Sequence, residues 1–375
     1  MIDIDKLLKR VLEKEGSDLH LRVPSPPVIR VDGELRVQED LPPITAKDAE
    51  AVLEQITSSE QKSNFLRDME LDFAYGIAGV ARFRVNVMRQ RGTLSICFRL
   101  VPTDIATIEA LGLPLVCKDL ILKPRGLILV TGPTGSGKST TMASMLNYLN
   151  QTLARNVITI ENPIEYLHRN QRCIIAQRDL GDDTKSFDVA LTHALRHDPD
   201  VIVVGEMRDL PTVSTAIRAA ETGHLVMGTL HTVDAAQTVD RIIDMYPSEQ
   251  QTQIRLQFSQ VAVAILSQTL LPKAAGKGRV AAFEVLIANT AVRNLIRDGK
   301  TYELNNVIQL SANENMQTLD QCLASLVRAK LVTAEEALMH SSHPDRLQKM
   351  MQYDYKVRVP VSHMTDHQLA GQKTR

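Results

Sequence analysis

The pattern of apolar and polar positions changes at about residue 101. Before that point a helical pattern is followed by alternating ones. Asp32-Gly33 lies between alternating apolar residues and predicts a two-residue hairpin turn. A helix is predicted near 46–57, and strands are predicted over 81–89 and 93–101. The apolar side of the N-terminal helix consists of Ile4, Leu7, Leu8, Val11 and Leu12. These patterns predict a small α+β domain over residues 1–101.

From Gly126 onward, short unbroken apolar stretches alternate with helical patterns. The stretches in GLILVTG, NVITIE, DVIVVGE and HLVMGTLHT are typical of parallel strands buried on both faces. A further strand is predicted at 280–287, and the pattern after it is helical to about residue 352. We therefore predict an α/β fold with this organisation: a linker at 102–113, an α/β core at 114–288, a helical region at 289–356 and a disordered tail at 357–375.

Composition restricts the functional classes. Of the 375 residues, 44% are hydrophobic and 23% are charged, which is typical of a globular protein large enough for two domains. A net charge of −1 and the absence of Trp argue against nucleic acid as a partner. The longest unbroken apolar stretch, Val261–Leu266, is too short to span a membrane, so a soluble protein is expected, and docking on a membrane partner stays open. The scattered cysteines argue against zinc and disulfides and suit a reducing cytoplasm: Cys97, Cys117, Cys173 and Cys322.

The segment GPTGSGKST predicts a nucleoside triphosphate site. It matches G-x-x-x-x-G-K-[ST] and lies between a predicted strand and a helix that begins near Lys138. The loop N–H groups and the helix N-terminus attract phosphates, Lys138 reaches the β- and γ-phosphates, and Ser139 ligates Mg²⁺. ATP and Mg²⁺ are thus the predicted ligands. The predicted contact residues are Gly132, Pro133, Thr134, Gly135, Ser136, Gly137, Lys138, Ser139 and Thr140.

Carboxylates at strand ends are the candidates for the hydrolytic step. Glu206 follows the strand 201–204, with Gly205 allowing close approach, and is predicted to hold Mg²⁺ through water. No acid adjoins it to activate the attacking water, but TIENPIEY, residues 159–166, supplies two. Pro163 favours a turn that brings Glu165 toward the γ-phosphate as the general base. Glu161 is predicted to hold the loop or the water around the metal. The alternative is a charged surface turn.

Two histidines flank the predicted strand in AETGHLVMGTLHT. If 225–231 is one strand, His224 and His231 lie ~23 Å apart at ~3.3 Å per residue and cannot both contact one phosphate. Because ligands bind at the carboxyl ends of strands in such sheets, His231 is predicted to sense the γ-phosphate. His224 is predicted to hold a loop or to face a subunit interface. A structural role is the alternative for each.

Arginines form one face of a predicted N-terminal strand. Arg82 and Arg84 share parity, whereas the apolar residues between them face the other way. They could close over ATP from a neighbouring domain or subunit, as arginine fingers do. The alternative is the solvated face of a half-buried sheet.

The segment AVRNLIRDGK, residues 291–300, predicts an amphipathic helix in which Thr290, after Asn289, offers an N-cap. Its apolar side would consist of Ala291, Val292, Leu295 and Ile296. The opposite side would consist of Arg293, Asn294 and Arg297 and would be free for another surface.

Taken together, these motifs resemble the PilT family of type IV pilus retraction motors among the secretion ATPases. The phosphate loop, TIENPIEYLH, LRHDPDVIVVGEMRD and AETGHLVMGTLHT occur in the family's order, and the resemblance covers residues 1 to about 330. AVRNLIRDGK is close to the AIRNLIRE signature of retraction ATPases and differs at Val292 and Asp298. Asn162 stands where the family usually has Asp, which removes a carboxylate.

The resemblance implies a PAS-like N-terminal domain and a RecA-like P-loop ATPase domain with C-terminal helices. It implies a homohexamer that couples Mg²⁺-dependent ATP hydrolysis to work, with Glu165 as the catalytic glutamate. It also implies a place at the cytoplasmic face of the inner membrane, against the platform protein at the pilus base. An accessory retraction ATPase is a further candidate partner.

Other functions stay open at this point. Asn162 favours an accessory, PilU-like ATPase of low turnover, although such proteins typically lack the AIRNLIRE signature. Pilus-assembly and secretion ATPases usually carry a tetracysteine zinc insert and an extra N-terminal domain, and neither is found in this sequence. A DNA-translocating motor is disfavoured by the charge and the scarcity of aromatic residues.

Overall fold

The computed structural model describes residues 2–352 as two compact units. The first unit comprises the described residues up to Thr103 together with Pro163–Leu167, and the second comprises Asp104–Asn162 and the described residues from His168 onward. The predicted tail at 357–375 lies outside the described residues. Within residues 2–352, no helix combines the length and the apolar character needed to cross a membrane.

The first unit is built on a six-stranded antiparallel sheet. Its strands are β1 (Asp18–Arg22), β2 (Val28–Val31), β3 (Glu34–Val37), β4 (Glu70–Ile77), β5 (Ala81–Gln90) and β6 (Thr93–Val101). They lie in the order β3-β2-β1-β6-β5-β4. The helices are α1 (Ile4–Glu13), α2 (Ala46–Ile56) and α3 (Ser59–Asp68). Apolar residues of the helices and of one sheet face share a single core.

Local sequence explains most of this unit. The hairpin predicted at Asp32-Gly33 joins β2 to β3, and both residues have positive φ angles, 52° and 84°. Helix α3 was not predicted, because Phe65 is its only buried residue and it therefore has no apolar periodicity. It begins instead with a reciprocal capping box between Ser58 and Gln61.

The second unit contains a seven-stranded sheet. Its strands are β7 (Gly126–Thr131), β8 (Asn156–Glu161), β9 (Ile174–Asp179), β10 (Val201–Val204), β11 (Leu225–Leu230), β12 (Ala262–Pro272) and β13 (Arg279–Ile287). They lie in the order β13-β12-β7-β11-β10-β8-β9, and all pairs are parallel except β12 with β13. Successive residues of β7 enter two different apolar cores, one on each face of the sheet. The predicted α/β class is therefore confirmed for this unit.

Helices cover both faces of this sheet and extend beyond it. They are α4 (Val116–Ile121), α5 (Lys138–Thr152), α6 (Phe187–Ala194), α7 (Leu210–Glu221), α8 (Ala235–Asp244), α9 (Ser248–Val261), α10 (Thr290–Arg297), α11 (Leu304–Leu310), α12 (Leu319–Arg328), α13 (Ala334–His340) and α14 (Pro344–Gln352). Two 3₁₀ turns lie at Thr301–Glu303 and Ala312–Glu314.

The strand order determines which loops can meet. The loops after β7, β8, β10 and β11 leave the same edge of the sheet, because these strands are parallel. Strand β11 lies between β7 and β10. His231, the residue after β11, therefore lies between the phosphate loop and Glu206. Ligands of open α/β sheets bind at this carboxyl edge.

Helix α10 corresponds to AVRNLIRDGK. Its N-cap is Asn289, one residue before the predicted cap, and the Asn289 side chain accepts a hydrogen bond from the N–H of Val292 at 3.0 Å. Val292 and Ile296 are fully buried and Leu295 is half-buried, as predicted for its apolar side, whereas Ala291 is exposed because it lies in the first turn at the edge of that side.

The prediction that Arg293, Asn294 and Arg297 form a free side of α10 is partly wrong. Arg293 is half-buried, and its Nη1 donates hydrogen bonds to the backbone carbonyls of Ser259 and of Gln260, the latter at 2.7 Å. The last carbonyls of a helix have no partner within it, so the guanidinium satisfies the C-terminus of α9. Asn294 and Arg297 are exposed, as predicted.

Candidate active site

The phosphate-binding loop connects β7 to α5. Gly132, Gly135 and Gly137 have φ angles of 139°, 79° and 89°, a region that strongly favours glycine. A Cβ atom at Gly132 would lie 2.2 Å from the carbonyl oxygen of Gln268 on β12. The Gln268 amide donates to the carbonyl of Ser136 from the same side. Gln268 on β12 thus packs against the phosphate loop and holds it by a hydrogen bond. The loop conformation requires the three glycines.

Helix α5 begins at Lys138, as predicted. The Lys138 Nζ donates to the carbonyls of Gly132 at 2.8 Å and Pro133 at 3.0 Å, so its ammonium lies at the start of the loop. Ser139 is the second residue of the helix. Its hydroxyl and the Glu206 carboxylate are oxygen ligands of the kind that Mg²⁺ prefers, so the donor set fits the predicted metal.

Glu206 and His231 are brought together at the carboxyl edge of the sheet. The two side chains lie 2.7 Å apart, Glu206 Oε1 to His231 Nε2. An ionised carboxylate can only accept, so Nε2 is the donor. Arg208 also donates to Glu206 Oε1. The Glu206 side chain is 18% exposed, which strengthens these contacts relative to fully solvated ones.

Backbone contacts hold this pair in place. Gly205 permits close approach as predicted, because a Cβ there would lie 3.1 Å from the carbonyl oxygen of Ile160 on β8. Thr229 on β11 donates its hydroxyl to the Gly205 carbonyl at 2.6 Å, and the Met207 N–H donates to the Thr229 carbonyl at 3.0 Å. The segment after β10 is therefore fixed to both neighbouring strands.

A cavity of about 730 Å³ lies beside the pair. Its lining combines a phosphate-loop residue, Thr134, with Glu206 and His231. Two arginines that the sequence analysis did not consider, Arg208 and Arg241, also line it. This cavity therefore brings together three of the predicted segments in an environment with two added positive charges.

His224 lies at the opposite end of β11 from His231, as predicted. Its Nδ1 is 2.9 Å from the carbonyl oxygen of Ala219 and 3.2 Å from the Thr222 hydroxyl, both in the turn that ends α7. The backbone carbonyl of His224 accepts from the N–H of Gly126 at 3.0 Å. These contacts fit the predicted loop-holding role rather than contact with a phosphate.

The two carboxylates of TIENPIEY belong to different compact units. Glu161 ends β8 in the second unit, and its Oε1 accepts hydrogen bonds from the Thr159 hydroxyl at 2.6 Å and from Gln177 Nε2 at 3.1 Å. Glu165 lies in Pro163–Leu167, which is grouped with the first unit. Its side chain is exposed, and its segment has no regular secondary structure. Glu161 is therefore a hydrogen-bonded anchor, whereas Glu165 is accessible.

Arg82 and Arg84 on β5 face away from the core of the first unit. Phe83 and Val85 are fully buried, while Arg84 is exposed and Arg82 is half-buried. Arg84 lies 3.7 Å from Asp72 on β4 and opposite Arg99 on β6. The predicted parity is confirmed, and the exposed ion pair leaves Arg84 largely hydrated.

Glu284 on β13 was not considered in the sequence analysis. It is only 5% exposed, and its Oε1 accepts from the N–H of Ala235 at 2.8 Å. Ala235 begins α8, four positions after His231. Burial raises the pKa of Glu284 to about 7, opposed by backbone hydrogen bonds and assisted by the charges of Asp234 and Asp320.

Glu284 should make stability depend on pH near neutrality. Its pKa is raised from 4.5 to about 7 on folding, so its stabilising contribution is present at low pH and is lost as pH rises through 7. Relative to Glu284→Gln, the free energy of unfolding of the wild type should fall by about 2 kcal/mol between pH 5.5 and 8. Urea denaturation at several pH values measures this difference. Glu335→Gln, on the exposed start of α13, is the control, and its difference in unfolding free energy from the wild type should not change with pH. A difference from the wild type that is equally constant for Glu284→Gln would contradict the expectation.

Comparisons with known proteins find similarity over most of the chain. The family model described as "Type II/IV secretion system protein" matches residues 1–339. The chain is 46% identical to the type IV pilus retraction ATPase PilT of Pseudomonas aeruginosa over 344 residues, 92% of this chain and 99% of that protein. It is 39% identical to the type IV pilus ATPase PilU of the same organism over 350 residues, 93% of this chain and 91% of that protein. The crystal structure of the pilus retraction motor PilT with bound ADP matches with a TM-score of 0.86 and 46% identity, covering 93% of this chain and 100% of that one.

Proposed function

This chain belongs to the Type II/IV secretion system protein family, and we propose that it is an ATP-hydrolysing motor that powers type IV pilus retraction and twitching motility. One observation carries the proposal above all. The similarity to a retraction ATPase extends over 344 residues, 92% of the chain, and therefore runs through both compact units. The hydrogen-bonded Glu206–His231 pair beside a loop residue supports the ATPase activity itself.

In the proposed mechanism, the loop N–H groups and Lys138 bind the phosphates of ATP. Ser139, and Glu206 through water, would hold Mg²⁺, and the ion would supply positive charge against the phosphate oxygens. Glu165 accepts the proton of the attacking water, a role that its exposed carboxylate permits. His231 is the proposed γ-phosphate sensor. Its hydrogen bond to Glu206 couples the γ-phosphate side of the site to the end of β11.

The assembly that we propose is a homohexamer at the cytoplasmic face of the inner membrane, against the platform protein of the pilus. Its subunits would have a PAS-like first unit and a RecA-like second unit. A single antiparallel sheet covered on one face in the first unit, and a parallel sheet covered on both faces in the second, support this description.

Arg82 and Arg84 are proposed to act on ATP bound by a neighbouring subunit. Alanine at either position should lower kcat about 10-fold or more without unfolding the protein, because such arginines stabilise transition-state charge. Mixing the Arg84→Ala protein with the Lys138→Ala protein tests whether the arginine acts within its own subunit or on the neighbouring one. Recovered ATPase activity in the mixture supports action between subunits, and normal kcat in both single arginine variants leaves only the solvated-face interpretation.

Gene deletion with complementation tests the proposed function. Loss of a retraction motor should leave cells with more pili than the wild type and without twitching, whereas loss of an assembly ATPase should leave them without pili. The complementing wild-type gene should restore both properties. Cells that lack pili after the deletion would contradict the proposal.

An accessory retraction ATPase with low turnover is the second candidate function. Asn162, exposed directly after β8, favours it, because an amide replaces a carboxylate next to Glu161. The steady-state ATPase rate of the purified assembly, with and without Mg²⁺, separates the two candidates. A robust Mg²⁺-dependent rate supports the primary motor.

A further inference from the structure

The segment that carries Glu165 leaves the second unit and returns to it within a few residues. Pro163–Leu167 groups with the first unit, whereas Asn162 and His168 on either side of it belong to the second. Strand β9 lies next to the end of β8, where the chain leaves the second unit. The two strands pair in parallel, and this register places Gln177 beside Thr159. The segment 162–167 therefore has two fixed ends close to one side chain of an edge strand.

The Gln177 side chain contacts both ends. Its Nε2 donates to Glu161 Oε1 at 3.1 Å, and its Oε1 accepts from the backbone N–H of His168 at 2.8 Å. The orientation of the amide follows from chemistry, since a carboxylate only accepts and a backbone N–H only donates. One side chain thus links the residue before the segment to the residue after it.

The exit from β8 is held by further bonds. Glu161 Oε1 also accepts from the Thr159 hydroxyl at 2.6 Å, and the Glu161 carbonyl accepts from the N–H of Leu180 at 2.8 Å. Hydrogen bonds to a carboxylate are stronger than those between neutral groups. Glu161 is fixed in this way. The Gln177 amide then connects His168, where the chain re-enters the second unit, to Glu161.

We propose that Gln177 is a positioning residue for ATP hydrolysis, because its amide closes the base of the loop that carries Glu165. Fixing both ends of a short loop removes much of its conformational freedom. A catalytic group that is misplaced by about 1 Å can lose up to 10²-fold in rate. The inference rests on the proposed function, in which Glu165 is the base, and it assigns to Gln177 no contact with ATP.

Gln177→Glu tests this role with an almost isosteric change. The new carboxylate cannot donate to Glu161 and adds a like charge beside it, so kcat should fall about 10-fold while KM for ATP stays within about twofold. Gln171→Glu makes the same chemical change at an exposed position nearby and should leave kcat unchanged. If Gln177→Glu fails to fold, Gln177→Ala removes both hydrogen bonds without adding charge, and a smaller fall in kcat is expected.

A double-mutant comparison separates positioning from general stability. If Gln177 acts through Glu165, then Gln177→Glu should change kcat by less than about twofold in a Glu165→Gln background. The same fold-loss in both backgrounds would overturn the proposal, as would normal kcat in the Gln177 variants alone. Normal kcat in Glu165→Gln alone would instead overturn the proposed base. The two failures are therefore distinguishable.

Discussion

Lys138→Ala is expected to abolish ATP turnover, with kcat/KM reduced by about 10³-fold or more. The Lys138 ammonium lies at the start of the phosphate loop, within 2.8 Å of the Gly132 carbonyl and 3.0 Å of the Pro133 carbonyl. Its removal takes a full positive charge from the place where phosphate charge develops. The loop N–H groups stay in place, because the glycines and β12 set the backbone conformation. A coupled ATPase assay measures the loss.

Lys123→Ala is the matched control for this variant. Lys123 is exposed and precedes β7, so the same substitution there removes a charge without touching the loop. Its kcat should stay within about twofold of the wild type. If Lys138→Ala kept more than about a tenth of the wild-type kcat/KM, the assignment of this loop as the ATP site would be wrong.

Glu165→Gln is expected to bind ATP normally and to lower kcat by about 10²-fold or more, the usual contribution of a general base. The amide has the size of the carboxylate but cannot accept the proton of the attacking water at neutral pH. Because Glu165 is exposed and outside regular secondary structure, the change should cost little stability. ATP affinity by fluorescent-nucleotide titration and steady-state kcat test both halves of the expectation.

Glu161→Gln distinguishes the two carboxylates of the acidic segment. Glu161 is held by Thr159 and Gln177, so the variant should weaken the anchor and lower kcat by less than about 10-fold. The reverse order, with Glu165→Gln near the wild-type rate and Glu161→Gln inactive, would make Glu161 the base.

Sequence patterns predicted the parts of the site that depend on local chemistry. The phosphate loop requires glycines at defined spacing, and unbroken apolar stretches identify strands that are buried on both faces, such as β7 and β10. The opposite placement of His224 and His231 followed from strand geometry alone. These features need no knowledge of distant contacts.

Features that depend on tertiary contacts were not predicted. Strand β9 is a sheet edge with a mixed polar sequence, so no periodicity revealed it or Gln177. Gln268 supports the phosphate loop from β12, more than a hundred residues later in the chain. Arg293 was predicted to be free because its helix alone has a polar side, yet the end of α9 lies against that side. In each case the partner is remote in sequence, and only the fold brings it close.

The most direct test of the central claim measures pilus retraction and ATP hydrolysis in the same series of variants. Fluorescently labelled pili would be imaged in a deletion strain without other retraction ATPases, complemented with the wild type, Gln177→Glu or Glu165→Gln, and kcat would be measured on the purified proteins. The account predicts that retraction frequency falls in the order of kcat, with retraction essentially absent for Glu165→Gln. Retraction at the wild-type frequency in cells that carry Glu165→Gln, with kcat of that protein reduced about 10²-fold, would contradict it.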